Sequence, residues 1–142
     1  MIRMIIQTIG AFFSVFTLSV IFGVPKKYLV YSSLTGAAGW CVYLVLSDLG
    51  WKEFLAMFGA TILVALMSNI FARVLKSPVS IYLIPGILPL VPGLGMYRTV
   101  YYIMQEESAM AGYWFTNTMQ IAGMIALAIF FVDTLFRTVR KK

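Results

Sequence analysis

The chain of 142 residues is too apolar for a water-soluble domain. Its residues are 61% hydrophobic and only 11% charged, with a mean hydropathy of +0.92, whereas about a quarter of the residues in a typical soluble domain are charged. The net charge of +6 comes from lysines and arginines near the ends of apolar runs, which indicates orientation in a membrane rather than a nucleic-acid surface. We therefore predict a protein surrounded by a lipid bilayer, with no nucleic-acid partner.

The side chains that common enzymes use are missing from this sequence. It has no histidine, five acidic residues and one cysteine, Cys41, which lies inside an apolar run. This composition excludes an HExxH zinc site, a Ser-His-Asp arrangement and a Cys-His pair, and no GxxxxGKS-type loop for ATP is present. We predict that the chain is not an enzyme, with no metal site and no cofactor.

Four apolar runs are long enough to cross a bilayer as α-helices, which takes about 20 residues. They cover residues 5–24, 28–47, 54–74 and 111–132. Residues 79–104 are also long enough, but prolines and glycines prevent a regular helix there; these are Pro85, Gly86, Pro89, Pro92, Gly93 and Gly95. The sequence predicts an all-α integral membrane protein, a single membrane domain over residues 1–142 with about five transmembrane helices, the fourth broken by Pro/Gly.

The distribution of positive charge distinguishes five crossings from four. With five crossings, eight cations lie on one side and three on the other; the first group is Lys26, Lys27, Arg73, Lys76, Arg137, Arg140, Lys141 and Lys142, and the second is Arg3, Lys52 and Arg98. A re-entrant fourth run would give five against six and remove the positive-inside bias. We predict a multi-pass protein of the bacterial inner membrane, with its N-terminus outside and its C-terminus in the cytoplasm.

The Pro-Gly segment is the main candidate for a substrate site. Its prolines are spaced so that they would share one face of a helix, and their missing N–H groups would free the carbonyls of Ile81, Pro85 and Leu88. Broken helices at membrane depth often hold transporter substrates. A half-helix that starts near Gly93 would point its positive end at an anionic group. The candidate binding residues are Pro85, Gly86, Pro89, Pro92 and Gly93, with a kink made only for packing as the alternative.

Further polar side chains lie within the predicted spans; they are Asn69, Thr116, Asn117, Thr118 and Gln120. Asn117 and Gln120 share a helix face and are the better candidates for lining a substrate cavity, although hydrogen bonding between helices explains them equally well. Arg98 could bind a carboxylate, but extension to the membrane surface is the simpler explanation. Asp133 and Arg137, four residues apart, predict an ion pair near a helix end.

Several of these features together resemble a known family. They are the segment IPGILPLVPG with Tyr97 after it, the five spans, the early turn Gly23-Val24-Pro25, and Gly36 and Gly39 in the second span. This pattern resembles the C-terminal half of the threonine/serine exporter family, and most of all the small, separately encoded subunit of its split form.

The resemblance implies a function and a partner. Members of this family are linked to export of threonine and serine, and split members also to small dicarboxylates such as succinate. In the split form the other half is a larger membrane protein with five spans of its own. The resemblance thus implies a subunit of a secondary exporter for small carboxylate-bearing metabolites that works with such a partner. An accessory or channel-like subunit without its own transport cycle is the alternative, and a homo-oligomer stays open because small residues form close-packing helix faces.

Overall fold

The computed structural model describes residues 1–141, which form six α-helices and two short 3₁₀ turns. The helices are α1 (Ile2–Ile21), α2 (Leu29–Asp48), α3 (Glu53–Val74), α4 (Ser80–Ile87), α5 (Gly93–Met104) and α6 (Ser108–Arg140), and the 3₁₀ turns are Lys26–Tyr28 and Leu88–Leu90. The first helix ends at Ile21 because Gly23 adopts a φ of +72°, which lets the Val24 N–H donate back to the Ser19 carbonyl at 3.0 Å.

These helices make an all-α membrane protein, as the sequence predicts. The helices α1, α2, α3 and α6 are each long and apolar enough to span a bilayer, and α4 with its 3₁₀ turn forms a further candidate span together with α5. The two parts of this last pair are bent by 50° at the Pro-Gly break. The predicted break of the fourth span and the start of its second half at Gly93 are both confirmed.

The bent pair runs from one end of the bundle to the other. Helices α3 and α6 are parallel, since Asn117 Nδ2 lies 3.5 Å from the Glu53 carboxylate near one end and Arg73 donates to the Phe136 carbonyl at 3.0 Å near the other. The chain therefore leaves α3 at the Arg73 end and enters α6 at the Glu53 end. A re-entrant segment would join two helix ends on the same side, so α4 and α5 have the geometry of one broken crossing.

The break lies in the middle of the protein core. The helix α4 packs against α1, α2 and α3, whereas α5 packs along α6. Leu90, in the 3₁₀ turn, is fully buried in a cluster of apolar side chains; the others are Met57, Ala60, Val64, Ile121 and Ile125. The core therefore holds the irregular backbone between α4 and α5 on several sides.

Close contacts of α4 with α2 and α3, and of α2 with α1, depend on glycines, which have no side chain. A Cβ atom on Gly86 would lie 3.1 Å from Val64 Cγ1 and 3.2 Å from Thr35 Cγ2. One on Gly36 would lie 2.5 Å from Val15 Cγ2. These glycines let the helix backbones approach closely, which is how helices associate within lipid.

Charge is distributed unequally between the two ends of the bundle. We call the end that contains Arg73 the basic end; its cations in the described part of the chain are Lys26, Lys27, Arg73, Lys76, Arg137, Arg140 and Lys141. The opposite end contains Arg3 and Lys52 with four of the five acids, Asp48, Glu53, Glu106 and Glu107. Asp133 is therefore an acid in strongly cationic surroundings.

Candidate functional site

The carbonyls that the prolines leave without a helical partner are bonded within the protein. Ser32 donates its hydroxyl to the Ile81 carbonyl at 3.3 Å. The Leu88 N–H donates to the Pro85 carbonyl, and the Val91 N–H donates to the Leu88 carbonyl at 3.2 Å. The expectation of free carbonyls for a substrate is therefore wrong, because 3₁₀ bonds and a serine of α2 replace the missing helical bonds.

The prolines of the break do not form one continuous helix face. Pro85 lines a shallow groove of about 360 Å³ beside the turn that follows α1, and Pro89 lines a separate groove of about 410 Å³ against α1 itself. Pro92 follows the extended residue Val91 and caps α5. The expected face of three prolines is wrong for this reason, since the helix ends before Pro92.

The two predicted glycines of the segment have opposite surroundings. Gly86 is buried against α2 and α3. Gly93 is exposed as the first residue of α5, and no heavy atom lies within 4 Å of the place where its Cβ would be. Gly86 therefore serves close packing, while Gly93 leaves open space at the start of the second half-helix.

The other predicted binding residues lie on α5 and α6, apart from the prolines. The Arg98 guanidinium carbon is 4.4 Å from the centroid of the Trp114 ring, within the range of a cation–π contact. Asn117 approaches Glu53, and Gln120 is exposed on the outer surface of α6. The eight residues predicted for the site are thus divided among three regions of the molecule, which are the Pro-Gly break, α5 and α6.

A cavity between α3, α4 and α6 brings together polar groups that are far apart in the sequence. Its outer chamber, at the basic end, has a volume of about 860 Å³ and is lined by the charged residues Arg73, Lys76, Asp133, Arg137 and Arg140. Its inner chamber, of about 530 Å³, is lined mainly by apolar side chains; these include Ala65, Leu83, Ala126, Ile129 and Phe130. Asn69, Val79 and Asp133 line both chambers, so the chambers meet at these residues, which we call the junction.

The outer chamber has an excess of positive charge. Four of its lining residues are cations and one is an acid, so the net formal charge is three positive units. Asp133 Oδ2 is 2.8 Å from Arg137 Nε, which confirms the predicted ion pair near the end of α6. Arg73 is held in place by its hydrogen bond to Phe136, whose ring lies 4.5 Å from the guanidinium carbon. Such a chamber attracts carboxylates, and its single negative group is Asp133, whose Oδ2 pairs with Arg137.

Asn69 is the most deeply placed polar side chain of the junction. It is 8% exposed, and its Nδ2 donates to the Ala65 carbonyl at 2.9 Å. An amide has two N–H donors and an oxygen acceptor. Among the residues that the structure describes, one donor and the oxygen of Asn69 therefore have no partner and are available at the junction. Asn69 is one of the polar residues within the predicted spans, whereas the cavity-lining role was predicted for Asn117 and Gln120.

A sequence signal for this site exists in the spacing of residues. Asn69 and Arg73 are four apart on α3, and Asp133 and Arg137 are four apart on α6. Each pair therefore lies on one helix face near the basic end. The sequence alone does not show that these two helix faces are neighbours in the fold.

Comparison with known proteins gives the family. The family described as "Threonine/Serine exporter, ThrE" matches residues 7–135, a stretch that contains α2 to α5 completely and most of α1 and α6. No curated protein and no solved structure matches the chain. The match covers far more than half of the sequence, and it agrees with the predicted resemblance and with the membrane-spanning helices. This chain therefore belongs to the threonine/serine exporter family.

Proposed function

We propose that the chain is a subunit of a secondary exporter for small carboxylate-bearing metabolites, and that its substrate enters through the cavity between α3, α4 and α6. The observation that carries this proposal is the joining of a cationic outer chamber to an apolar inner chamber. Ala65, in the inner chamber, lies about 12 Å along α3 from Arg73, since each residue adds about 1.5 Å. The cavity thus extends from the basic end along α3 as far as the buried residue Ala65, and it is open at Phe130, which is 70% exposed.

The direction of transport follows from the proposed orientation. Cationic loops stay in the cytoplasm by the positive-inside rule, so the basic end is the cytoplasmic end of a protein in the bacterial inner membrane. The cavity then opens to the cytoplasm, which is the side from which an exporter takes its substrate. The N-terminus, at the opposite end of α1, is outside.

The chemistry of the outer chamber supports two substrate types. A threonine or serine would place its carboxylate among the cations and its ammonium near Asp133. A dicarboxylate such as succinate would match the positive excess of the chamber with both of its carboxylates. The family match favours the amino acids, so transport of threonine, serine and succinate belongs in the same assay.

A larger five-span membrane subunit of the same family is the proposed partner. Many secondary transporters combine two structural repeats, each with a broken helix, and place the substrate between them. This chain contributes one broken crossing, α4 with α5, so a second protein would contribute the other. A second copy of this chain is the alternative source, and an accessory or channel-like role is the alternative function.

The partnership can be tested with purified proteins in lipid vesicles. We expect threonine transport when this chain is reconstituted with a co-expressed larger five-span member of the family, and at least tenfold less with either protein alone. Transport is measured with radiolabelled threonine, serine and succinate. Full transport by this chain alone would contradict the need for a partner, and full transport by the partner alone would support the accessory role.

The proposed orientation predicts which residues a membrane-impermeant thiol reagent can reach. In a Cys41→Ala background, a cysteine in place of Lys141 should react only when the cytoplasmic face is open to the reagent. A cysteine in place of Lys52 should react from outside in intact cells. Labelling of both from the same side would exclude an odd number of crossings between them and contradict the proposed topology.

A further inference from the structure

We infer that Asn69 selects substrates with a hydroxyl group on the side chain. The inference rests on the proposed function of the cavity, and it assigns a specificity-determining role to one residue at the junction. Asn69 lines both chambers together with Asp133 and Val79. It is therefore placed where a substrate held by its charged groups in the outer chamber would direct its side chain inward.

The position of the charges determines how an amino acid would lie in the cavity. The cations line the outer chamber and not the inner one, so the α-carboxylate stays outside the junction. Asp133 lines the junction itself, so the α-ammonium would lie near it. The side chain, on the same carbon as both groups, then reaches the level of Asn69 and the entrance of the inner chamber.

Asn69 can both donate and accept a further hydrogen bond, while its polar neighbours on α3 have no free donor. The hydroxyls of Thr61 and Ser68 donate to the carbonyls of Met57 and Val64 at 2.7 Å and are fully buried. Asn69 uses one donor for Ala65 and retains one donor and its oxygen for a hydroxyl group. The amide could therefore both donate to and accept from that group.

Ser80 is the competing polar group of the inner chamber. Ser80 lines the same space, but it is exposed. A hydrogen bond discriminates most strongly where water cannot replace it, because a buried polar group then stays unpaired when the wrong substrate binds. Asn69, at 8% exposure, satisfies this condition better than Ser80.

Threonine and valine provide the cleanest comparison. They have nearly the same shape, and an apolar pocket separates such a pair by at most about 100-fold, whereas a site that hydrogen-bonds a hydroxyl separates them by more. The apolar walls of the inner chamber accept the methyl group of both. Asn69 is thus the group that would distinguish them.

The test compares Asn69→Leu with Ser68→Ala, a neighbouring change on α3 outside the cavity. Threonine and valine transport are measured in vesicles that contain this chain and its co-expressed partner. We expect Asn69→Leu to lower the threonine-to-valine ratio by about tenfold, a typical effect of one lost hydrogen bond in a buried site. Valine transport and thermal stability should stay close to the parent values, and Ser68→Ala should leave the ratio unchanged.

Binding of radiolabelled threonine and valine to the purified complex gives a second readout that does not need transport. The same tenfold change in the binding ratio is expected. Equal ratios in parent and Asn69→Leu, with both substrates falling in parallel, would overturn the inference and leave the cavity as the entrance. Transport of succinate without threonine would also overturn it, whereas absence of transport and binding for all substrates would refute the proposed function itself.

Discussion

Exchange of Asp133 and Arg137 is expected to abolish threonine transport while the protein stays folded. In the double variant D133R/R137D the ion pair on α6 can still form, because the two residues remain four apart. An exposed pair of this kind contributes only about 0.5 kcal/mol to stability. The exchange, however, moves a positive charge into the junction, where the substrate ammonium is proposed to lie.

The size of the expected effect follows from Coulomb's law. Two unit charges 4 Å apart interact by about 1 kcal/mol in water and by about 4 kcal/mol near a protein surface. Replacing an attraction of this size by a repulsion changes the interaction energy by about 2 to 8 kcal/mol, which corresponds to a loss of at least about 30-fold in transport. The measurement is threonine transport beside thermal stability, with Asp133→Asn as the intermediate case. Normal transport by the exchanged protein would show that the pair only stabilises the end of α6.

The sequence predicts the helices well because the bilayer restricts them so strongly. In lipid every backbone N–H and carbonyl needs a partner, so an apolar run of sufficient length must form a helix. The prolines identify the break for an equally local reason, since proline removes a helical hydrogen bond. Both features depend on residues that are neighbours along the chain, and both agree with the structure.

One partner of the broken backbone depends on a contact between distant residues. Ser32 and the carbonyl of Ile81 are 49 positions apart in sequence, and the contact forms only because α2 and α4 pack together. Hydropathy identifies both helices but does not give their neighbours. The prediction of a free carbonyl at Ile81 was wrong because this information was missing. At Pro85 and Leu88 it was wrong because N–H groups three residues further along the chain form 3₁₀ bonds to these carbonyls.

The cavity could not be predicted from the sequence, because it too depends on which helices are neighbours. Within its own helix, each of the two residues has a simpler explanation. Asn69 is explained by a hydrogen bond between helices, and Asp133 by an ion pair near the end of a helix. They line one junction because α3 and α6 are parallel neighbours. That arrangement was not derivable from spacing along either helix.

The double variant Pro89→Ala/Pro92→Ala is expected to lose transport together with the bend between α4 and α5. It restores N–H groups that could donate to the carbonyls of Pro85 and Leu88, and alanine favours a helix by about 3 kcal/mol over proline at each interior position. The helix α5 has 12 residues and is about 18 Å long. Removing a bend of 50° would therefore move its far end by about 15 Å.

Such a movement would separate α5 from α6. Gly95 packs on Thr118, and Arg98 stacks on Trp114, so the straightened helix would lose both contacts. We expect the gain in helix formation to be offset by this loss, with thermal stability that does not rise. The distance between spin labels at Met104 and Leu49, both well exposed, should change by several ångströms in this variant, because Met104 lies at the end of α5 that moves.

Pro25→Ala is the matched control, because it replaces a proline that lies outside the break. It should change neither the label distance nor transport. If the double variant also keeps the parent distance and the parent transport, then packing around Leu90 sets the bend and the prolines are replaceable. If the distance stays constant while transport is lost, Pro89 acts through the groove that it lines against α1 rather than through the bend. A changed distance with lost transport is the outcome that ties the direction of α5 to the transport cycle.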